Sequence, residues 1–228
     1  MATNFEHNVN RFLNKEIIKK KVFCIGLHKT GTKTLQILAH RYGFRAMHSI
    51  HWINDHQTLA NHDFFSDGGS HFDGQHEFDY EDLLLRYPQA KFILQTRSVL
   101  PWILSKLKHA GWTENTEIQV NDPGKITHDQ WTYKSLLSIQ KFIEHKLNYE
   151  DKVKSFFNDR APSQFLSIDI TQPAIQHHEL LRFKRFLGIR SFRTVKLLHG
   201  NKSQTGPKIP PEAHKFISKM IRENTMHY

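Results

Sequence analysis

Short apolar runs alternate with longer amphipathic stretches along this chain. Three of the runs predict buried strands, because each is short, apolar and followed by glycine or polar residues; they are residues 22–25, 92–94 and 164–170. Weaker runs at residues 44–47 and 64–65 predict two further strands. The segments between the runs are long enough for helices, as expected for a parallel α/β sheet.

The segments between the apolar runs repeat apolar residues at the three- and four-residue spacing of helices. These helical patterns occupy residues 1–20, 32–42, 80–87, 98–110, 127–147, 148–160, 177–187 and 211–224. Strands that alternate with helices predict a three-layer α/β/α fold with a central parallel sheet. We expect a single domain over residues 1–228, with an amphipathic helix at 1–20 and a turn-rich segment at 111–126 that could form a lid.

The loop after the first strand predicts a phosphate site. Gly26 and Gly31 frame the loop, and the helical pattern begins at Thr32. The free N–H groups of such a loop and of the first helical turn point toward one place, where the positive end of the helix dipole favours an anion. Lys29 adds a charge. Further donors are the hydroxyl groups of Thr30, Thr32 and Thr34.

The position of the lysine weighs against a nucleoside triphosphatase. In the G-x-x-x-x-G-K-[ST] loop, the lysine follows the second glycine and reaches the outer phosphates. Here Thr32 follows Gly31, and Lys33 comes one position later, where a rotation of about 100° around the helix turns it away from the ligand. The strand KFILQTR also ends in Thr96 and Arg97, whereas a magnesium-binding strand ends in an acidic residue. An atypical P-loop kinase that uses ATP is the first alternative.

The lysine within the loop, in the pattern K-[ST]-G-T, resembles the 5′-phosphosulfate-binding loop of the sulfotransferases. These enzymes use 3′-phosphoadenosine 5′-phosphosulfate (PAPS) on a relative of the P-loop fold. Arg97 at a strand end and Ser105 eight residues later resemble the family's 3′-phosphate-binding segment. The block YEDLLLRYPQAKFILQTRSVLPWILS and the later segments YEDKVKSFFNDRAPSQFLSIDIT and FLGI are similar to the small single-domain branch.

The resemblance implies sulfuryl transfer from PAPS to a hydroxyl or amine acceptor, in line and without a metal. Lys29 would stand at the bridging oxygen between sulfate and 5′-phosphate, where negative charge grows as the bond breaks. The residues expected to bind the cofactor are His28, Lys29, Thr30, Gly31, Thr32, Lys33, Thr34, Arg97, Ser105, Gly200 and Lys202.

The catalytic base is expected just after the short strand at residues 64–65. Small relatives carry an aspartate there, and Asp67 in FFSDGG matches it. His71 is a substitute or an assistant, because imidazole titrates near neutrality. Asp63 and His62 are reserve candidates. The K-T-H-x-P segment that supplies a histidine in the cytosolic branch does not occur in this sequence.

The charge balance agrees with an anionic ligand but does not select one. The 228 residues contain 32 Lys and Arg against 22 Asp and Glu, a net charge of +10. Such a balance suits a charged nucleotide, a sulfated glycan, an acidic lipid or nucleic acid, so a non-catalytic nucleotide or nucleic-acid binder is the second alternative. RNA-binding aromatic signatures and zinc-finger spacing do not occur, and we expect no nucleic-acid partner.

The remaining features favour a cytoplasmic enzyme with a small-molecule or glycan acceptor. The sequence has no apolar run of the length of a signal peptide or a membrane span, and its single cysteine, Cys24, lies in an apolar run. The 17 histidines lack metal-ligand spacing, so no metal is expected. Trp52, Phe72 and Trp112 could line an acceptor pocket; the acceptor itself and the oligomeric state stay open.

Overall fold

A parallel sheet forms the centre of the protein. The computed structural model describes residues 11, 20–49, 51–67, 79–118, 136–190 and 209–225. The strands within these residues are β1 (Val22–Cys24), β2 (Ala46–His48), β3 (Phe64–Ser66), β4 (Lys91–Gln95) and β5 (Phe165–Ile168). They lie in the order β2-β3-β1-β4-β5, and all neighbouring strands are parallel. The predicted parallel α/β sheet is confirmed.

Helices lie between the strands and follow the last one. Those in the described residues are α1 (Thr32–Arg41), α2 (His56–Asn61), α3 (Tyr80–Arg86), α4 (Val99–His109), α5 (Leu136–Arg160), α6 (Gln176–Leu187) and α7 (Pro211–Thr225). Local signals set several of their ends. Asp79 caps α3 by accepting a hydrogen bond from the Asp82 N–H group (2.8 Å), and Gly188 ends α6 in the left-handed conformation.

The strands alternate their side chains between two apolar layers. Val22 and Cys24 pack with side chains of α1 and α6, whereas Phe23 packs with side chains of α4, α5 and α7 on the other face. Successive residues of a strand point to opposite faces, so strands that are apolar at every position need cover on both sides. The predicted three-layer arrangement is confirmed. Burial also raises the pKa of the Cys24 thiol well above its usual range, which leaves Cys24 as a small apolar residue.

One long helix replaces two predicted ones. The sequence predicts separate helices at residues 127–147 and 148–160, but α5 runs without a break from Leu136 to Arg160. Tyr149 lies where the two patterns meet. It is buried, and its hydroxyl donates a hydrogen bond to the Ile25 carbonyl oxygen (2.5 Å). No helix-breaking residue separates the two patterns, so tertiary packing continues the helix until just before Pro162.

An ion cluster holds the amino-terminal edge of the sheet. Asp63 precedes β3 and is only 5% exposed. Its carboxylate accepts hydrogen bonds from the Arg45 guanidinium (2.8 and 3.1 Å), from the Arg45 amide (3.1 Å) and from the Arg11 guanidinium (3.1 Å). Burial alone would raise the pKa of Asp63, but the bonds from Arg45 and Arg11 outweigh it and leave that pKa below its usual value.

Candidate active site

The loop that follows β1 is anchored to the neighbouring strand by Gln95. The buried side-chain amide of Gln95 accepts a hydrogen bond from the Gly26 N–H group and donates one to the Gly26 carbonyl oxygen, both at 3.0 Å. A Cβ atom at position 26 would lie 2.1 Å from the Gln95 backbone oxygen. The sequence indicates only a turn at Gly26, whereas the close approach of β4 is the reason that glycine is required.

Two residues in the left-handed region shape the rest of the loop. Lys29 has a φ of 66° and Gly31 a φ of 99°. Gly31 is the N-cap of α1, and no side chain caps this helix, so its first N–H groups have no intrahelical acceptor. Ile170, which follows β5, covers Gly31 and would lie 3.1 Å from a Cβ atom there. The loop therefore offers backbone donors and a helix dipole to an anion.

The three predicted threonine donors have different surroundings. Thr30 is fully buried, and its hydroxyl donates a hydrogen bond to the Leu27 carbonyl oxygen. The Thr32 hydroxyl donates to Asp67 Oδ1 (3.2 Å). Thr34 is partly exposed in the first turn of α1. The hydroxyl protons of Thr30 and Thr32 are thus engaged within the protein, and Thr30 serves chiefly to shape the loop.

The two lysines of this region differ in burial. Lys33 is exposed on α1, whereas Lys29 is half-buried in the loop. Burial lowers the pKa of Lys29, nearby Asp67 opposes this shift, and Arg97 adds to it. Arg97 bonds to the Lys29 carbonyl oxygen, and Asp67 accepts the hydroxyl of Thr32 at the start of α1. Elements that follow three different strands therefore meet at this loop.

Arg97, the second residue after β4, reaches back to the loop. Its Nη1 atom donates a hydrogen bond to the Lys29 carbonyl oxygen (3.1 Å). Its Nε atom is buried and has no hydrogen-bond partner in the described part of the chain. Burial also lowers the pKa of Arg97, and Asp169 beyond β5 opposes that shift. Ser105 lies two turns further on, partly exposed on α4. An anion beside Arg97 would satisfy the buried donor.

The strand, loop and helix just described fall within a longer segment that matches a known family. Residues 21–163 match the family model described as a sulfotransferase domain. The chain belongs to this family. No curated protein matches the chain. The matched segment contains the loop, Asp67, Arg97 and Ser105, and membership supports sulfuryl transfer as the general class of reaction.

Asp67 follows β3, and its carboxylate faces the loop through the hydrogen bond from Thr32. Its φ of 68° is unusual for a residue other than glycine. Besides the bond from Thr32, its Oδ2 atom lies 3.5 Å from the Nε2 atom of His48, the last residue of β2. His48 is not among the predicted site residues, although it directly follows the strand predicted at residues 44–47. The rule that ligands bind at the carboxyl ends of parallel strands would have found it.

A buried lysine lies close to the loop. Lys106 on α4 is fully buried, with its Nζ atom 3.3 Å from His28 Nδ1 and 5.5 Å from the centre of the Trp102 ring. The indole N–H group of Trp102 donates a hydrogen bond to the His28 carbonyl oxygen (3.0 Å). Burial lowers the pKa of Lys106 well below its usual range, Lys29 adds to this shift and Asp67 opposes it. The ring of His28, predicted to bind the donor, thus contacts Lys106.

The other predicted residues lie outside the described residues or in the core. His71, Phe72, Gly200 and Lys202 lie outside them, as does all of the predicted N-terminal helix except Arg11 and Lys20. Residues 119–126 of the predicted lid do too. Trp52 and Trp112 are 1% and 3% exposed and belong to the core. The prediction that these two side chains line an acceptor pocket is therefore wrong, because both rings are packed among apolar side chains.

Two reserve candidates for the base lie at the other end of the sheet. Asp63 precedes β3, and its carboxylate is held by Arg45 and Arg11. His62 precedes Asp63, and its Nδ1 atom lies 3.0 Å from the Thr58 carbonyl oxygen. Neither side chain is near the loop, so both reserve assignments are wrong. In a parallel strand of three residues, the residues before and after it stand at opposite edges of the sheet.

The described residues contain neither a metal-binding cluster nor a membrane-spanning helix. Those residues hold no group of three or more histidine, cysteine, aspartate or glutamate side chains that could bind a metal ion. Among the helices described, none has the length and apolar character needed to cross a membrane.

Proposed function

We propose that this protein transfers a sulfuryl group from PAPS to a hydroxyl or amine acceptor, by in-line transfer that needs no metal. The observation that carries the proposal is Arg97. Its guanidinium is held against the Lys29 carbonyl oxygen, while its buried Nε atom has no partner among the described residues. An unsatisfied buried donor costs about 1–3 kcal/mol, so a ligand that supplies an acceptor here gains from it.

The loop fits the 5′-phosphosulfate end of such a donor. Gly31 and the uncapped first turn of α1 supply backbone donors, and Lys29 supplies a positive charge. Thr34, partly exposed in the same turn, can add a hydroxyl. Lys33 is exposed and contributes at longer range, whereas Thr30 and His28 support the loop from within.

Arg97 and Ser105 fit the 3′-phosphate of the donor. A guanidinium offers a planar set of donors and a serine offers a hydroxyl, and both suit phosphate oxygens. Arg97 joins the two ends of the site, because it contacts the loop that receives the 5′-phosphate. Gly200 and Lys202, outside the described residues, complete the proposed set of 3′-phosphate contacts.

The chemistry follows from the charges around Lys29. Negative charge grows on the oxygen that links sulfur to the 5′-phosphate, and Lys29 is the group assigned to stabilise it. Asp67, whose carboxylate accepts the Thr32 hydroxyl beside the loop, is assigned as the base that takes the proton of the acceptor. His71 stays a candidate for the same role.

Calorimetry with 3′-phosphoadenosine 5′-phosphate (PAP) tests the donor site. We expect metal-free PAP to bind tightly and ADP to bind weakly, because ADP lacks the 3′-phosphate. Arg97→Ala should weaken PAP binding about 10- to 100-fold, given about 1.5–3 kcal/mol for a hydrogen bond to a charged group. Arg160→Ala, which removes an exposed arginine from the end of α5, is the matched control. Preference for ATP with magnesium would favour the kinase alternative, and binding without demand for a 3′-phosphate would contradict the proposal.

A further inference from the structure

His48, Ser66 and Asp67 form a chain of polar contacts at the carboxyl ends of β2 and β3. The Ser66 hydroxyl oxygen lies 3.4 Å from the Met47 carbonyl oxygen and 3.0 Å from His48 Nδ1. The other ring nitrogen, Nε2, lies 3.5 Å from Asp67 Oδ2. The second carboxylate oxygen of Asp67 accepts the hydroxyl of Thr32. The chain thus runs from a backbone carbonyl to the carboxylate beside the loop.

This chain of polar contacts holds one proton fewer than it has contacts. There are three contacts: Met47 oxygen to Ser66, Ser66 to His48, and His48 to Asp67. A neutral imidazole carries one N–H and serine carries one O–H, so only two protons are present. A second ring proton would satisfy all three contacts at once, since Nδ1 would donate to Ser66 and Nε2 to Asp67. This chain of contacts can therefore accept one more proton, which would draw Nε2 and Oδ2 together into a hydrogen bond.

Burial keeps the ring of His48 neutral before a proton arrives. Burial lowers the pKa of His48, Lys33 on α1 adds to the shift, and the Asp67 carboxylate opposes it. A neutral ring at pH 7 can take up a proton. Once protonated, the ring lies against a carboxylate, which stabilises the imidazolium form.

We infer that His48 is a positioning residue that acts through Asp67, so that the two side chains work as one base in the reaction. The inference rests on the proposed function. Asp67 takes the acceptor's proton, and the third contact of the chain, between Oδ2 and Nε2, then holds it. The acceptor's O–H or N–H bond breaks as its bond to sulfur forms. The bond from sulfur to the 5′-phosphate oxygen breaks, and its electron pair stays on that oxygen beside Lys29.

The first test measures the proton-sharing pair in the free protein. The pKa of His48 is followed by ¹H–¹⁵N NMR in the unmodified chain and in Asp67→Asn. Loss of the carboxylate should lower the pKa of His48, and that of His109 as well, because Asp67 raises both. Asp55→Asn, which removes an exposed carboxylate at the start of α2, should leave it unchanged. An unaltered pKa of His48 in Asp67→Asn would overturn the inference.

The second test measures catalysis with ³⁵S-labelled PAPS and 4-nitrophenol, counting loss of label from PAPS to the phenol or to water. His48→Gln keeps an N–H group near Asp67 but cannot take up a proton. We expect turnover at neutral pH to fall about 10- to 100-fold, as for loss of part of a general base. The acidic limb of the pH profile should move to lower pH, because the carboxylate then acts alone. His51→Gln, an exposed histidine near β2, is the control.

Measuring PAP binding distinguishes failure of the inference from failure of the proposed function. PAP affinity and thermal stability should stay the same in His48→Gln, because His48 makes no hydrogen bond or ion pair with the described residues that are assigned to the donor phosphates. A lower rate with an unchanged pH profile would mean a structural role and would overturn the inference alone. An unmodified chain that binds PAP but leaves the label on PAPS would also overturn it. Failure of the unmodified chain to bind PAP would instead contradict the proposed function itself.

Discussion

The two edges of the sheet differ in how their charges are compensated. At the amino-terminal edge, Asp63 accepts hydrogen bonds from two arginines, and Lys21 donates to the Leu59 carbonyl oxygen. At the carboxyl-terminal edge, Arg97 keeps a buried Nε atom without a partner in the part of the chain that is described. Beside Arg97 at this edge lie the half-buried Lys29 and the fully buried Lys106.

This difference assigns the charges at the amino-terminal edge to stability and those at the carboxyl-terminal edge to function. Buried charges that pair with their neighbours hold the fold together, and breaking one pair leaves a costly uncompensated charge. Clustered cations at the other edge lower the stability of the empty protein but prepare the site for a ligand that brings negative charge. Substitutions at the first edge should therefore change folding, and substitutions at the second should change the reaction.

The largest expected effect is on turnover, at Lys29. Lys29→Asn should lower kcat about 100- to 1,000-fold, the usual loss when one charge-stabilising donor is removed. Asparagine tolerates the positive φ of this residue, so stability should change little. Labelled-PAPS turnover and thermal melting check both expectations, with the exposed Lys152→Asn as control. A loss of donor affinity with unchanged kcat would assign Lys29 to binding alone.

The next largest effect is expected on stability, at Gly26, where Gln95 anchors the loop. Gly26→Ala places a Cβ atom 2.1 Å from the Gln95 backbone oxygen and should cost roughly 3 kcal/mol of unfolding free energy, at the upper end for overpacking. Gly111→Ala meets no atom within 4 Å but has a positive φ, so it should cost only about 1–2 kcal/mol. Urea denaturation of both variants separates close approach from backbone strain. Equal losses would show that the contact with β4 is easily relieved.

At the amino-terminal edge, Asp63→Asn should lower the unfolding free energy by about 2 kcal/mol, less than for a fully buried pair because Arg45 is half exposed. Turnover per folded molecule should stay the same. Asp159→Asn, whose carboxylate meets Arg160 on the surface, should change stability by less than about 0.5 kcal/mol. Urea denaturation and turnover are measured on the same samples. A loss of turnover without a loss of stability would contradict the division between the two edges.

The smallest expected effect is the pH dependence of the stability that Asp63 contributes. The pKa of Asp63 is lower in the folded protein than its ordinary value near 3.8. Its stabilising contribution is therefore fully present above the unfolded pKa and is lost as the pH falls through the folded pKa. The stability difference between the unmodified chain and Asp63→Asn should shrink as the pH falls below about 4. A difference that is constant down to acid unfolding would rule out this linkage.

Local signals predicted the elements of the fold and half of the site. The strand, glycine loop and helix from Val22 to Arg41 are contiguous in sequence, so spacing alone reveals them, whereas Arg97 and Ser105 are expected from their resemblance to the 3′-phosphate-binding segment of the family. The alternation of apolar runs with helical patterns likewise sufficed for the parallel α/β fold. The predicted boundary between residues 147 and 148 was wrong, because a helical pattern in the sequence does not show whether tertiary packing extends the helix beyond it.

The other half of the site depends on residues that are far apart in the chain. Gln95 meets Gly26, and His48 meets Asp67, only because β4 and β3 flank β1 and β2 flanks β3. Strand order cannot be read from the runs themselves. The burial of Lys106 likewise arises from the packing of α4, and no local pattern separates this lysine from a surface one.

The sequence by itself determined where the strands and helices lie, which loop can hold an anion, and that the chain has the signature of a sulfotransferase. Those properties depend on neighbours in the chain, through backbone geometry and hydrophobic spacing. Only the tertiary structure decided which charges are compensated. Asp63 became part of the framework and Asp67 part of the candidate site, although they are four residues apart. The reason is that β3 carries one to each edge of the sheet, where different elements supply the partners.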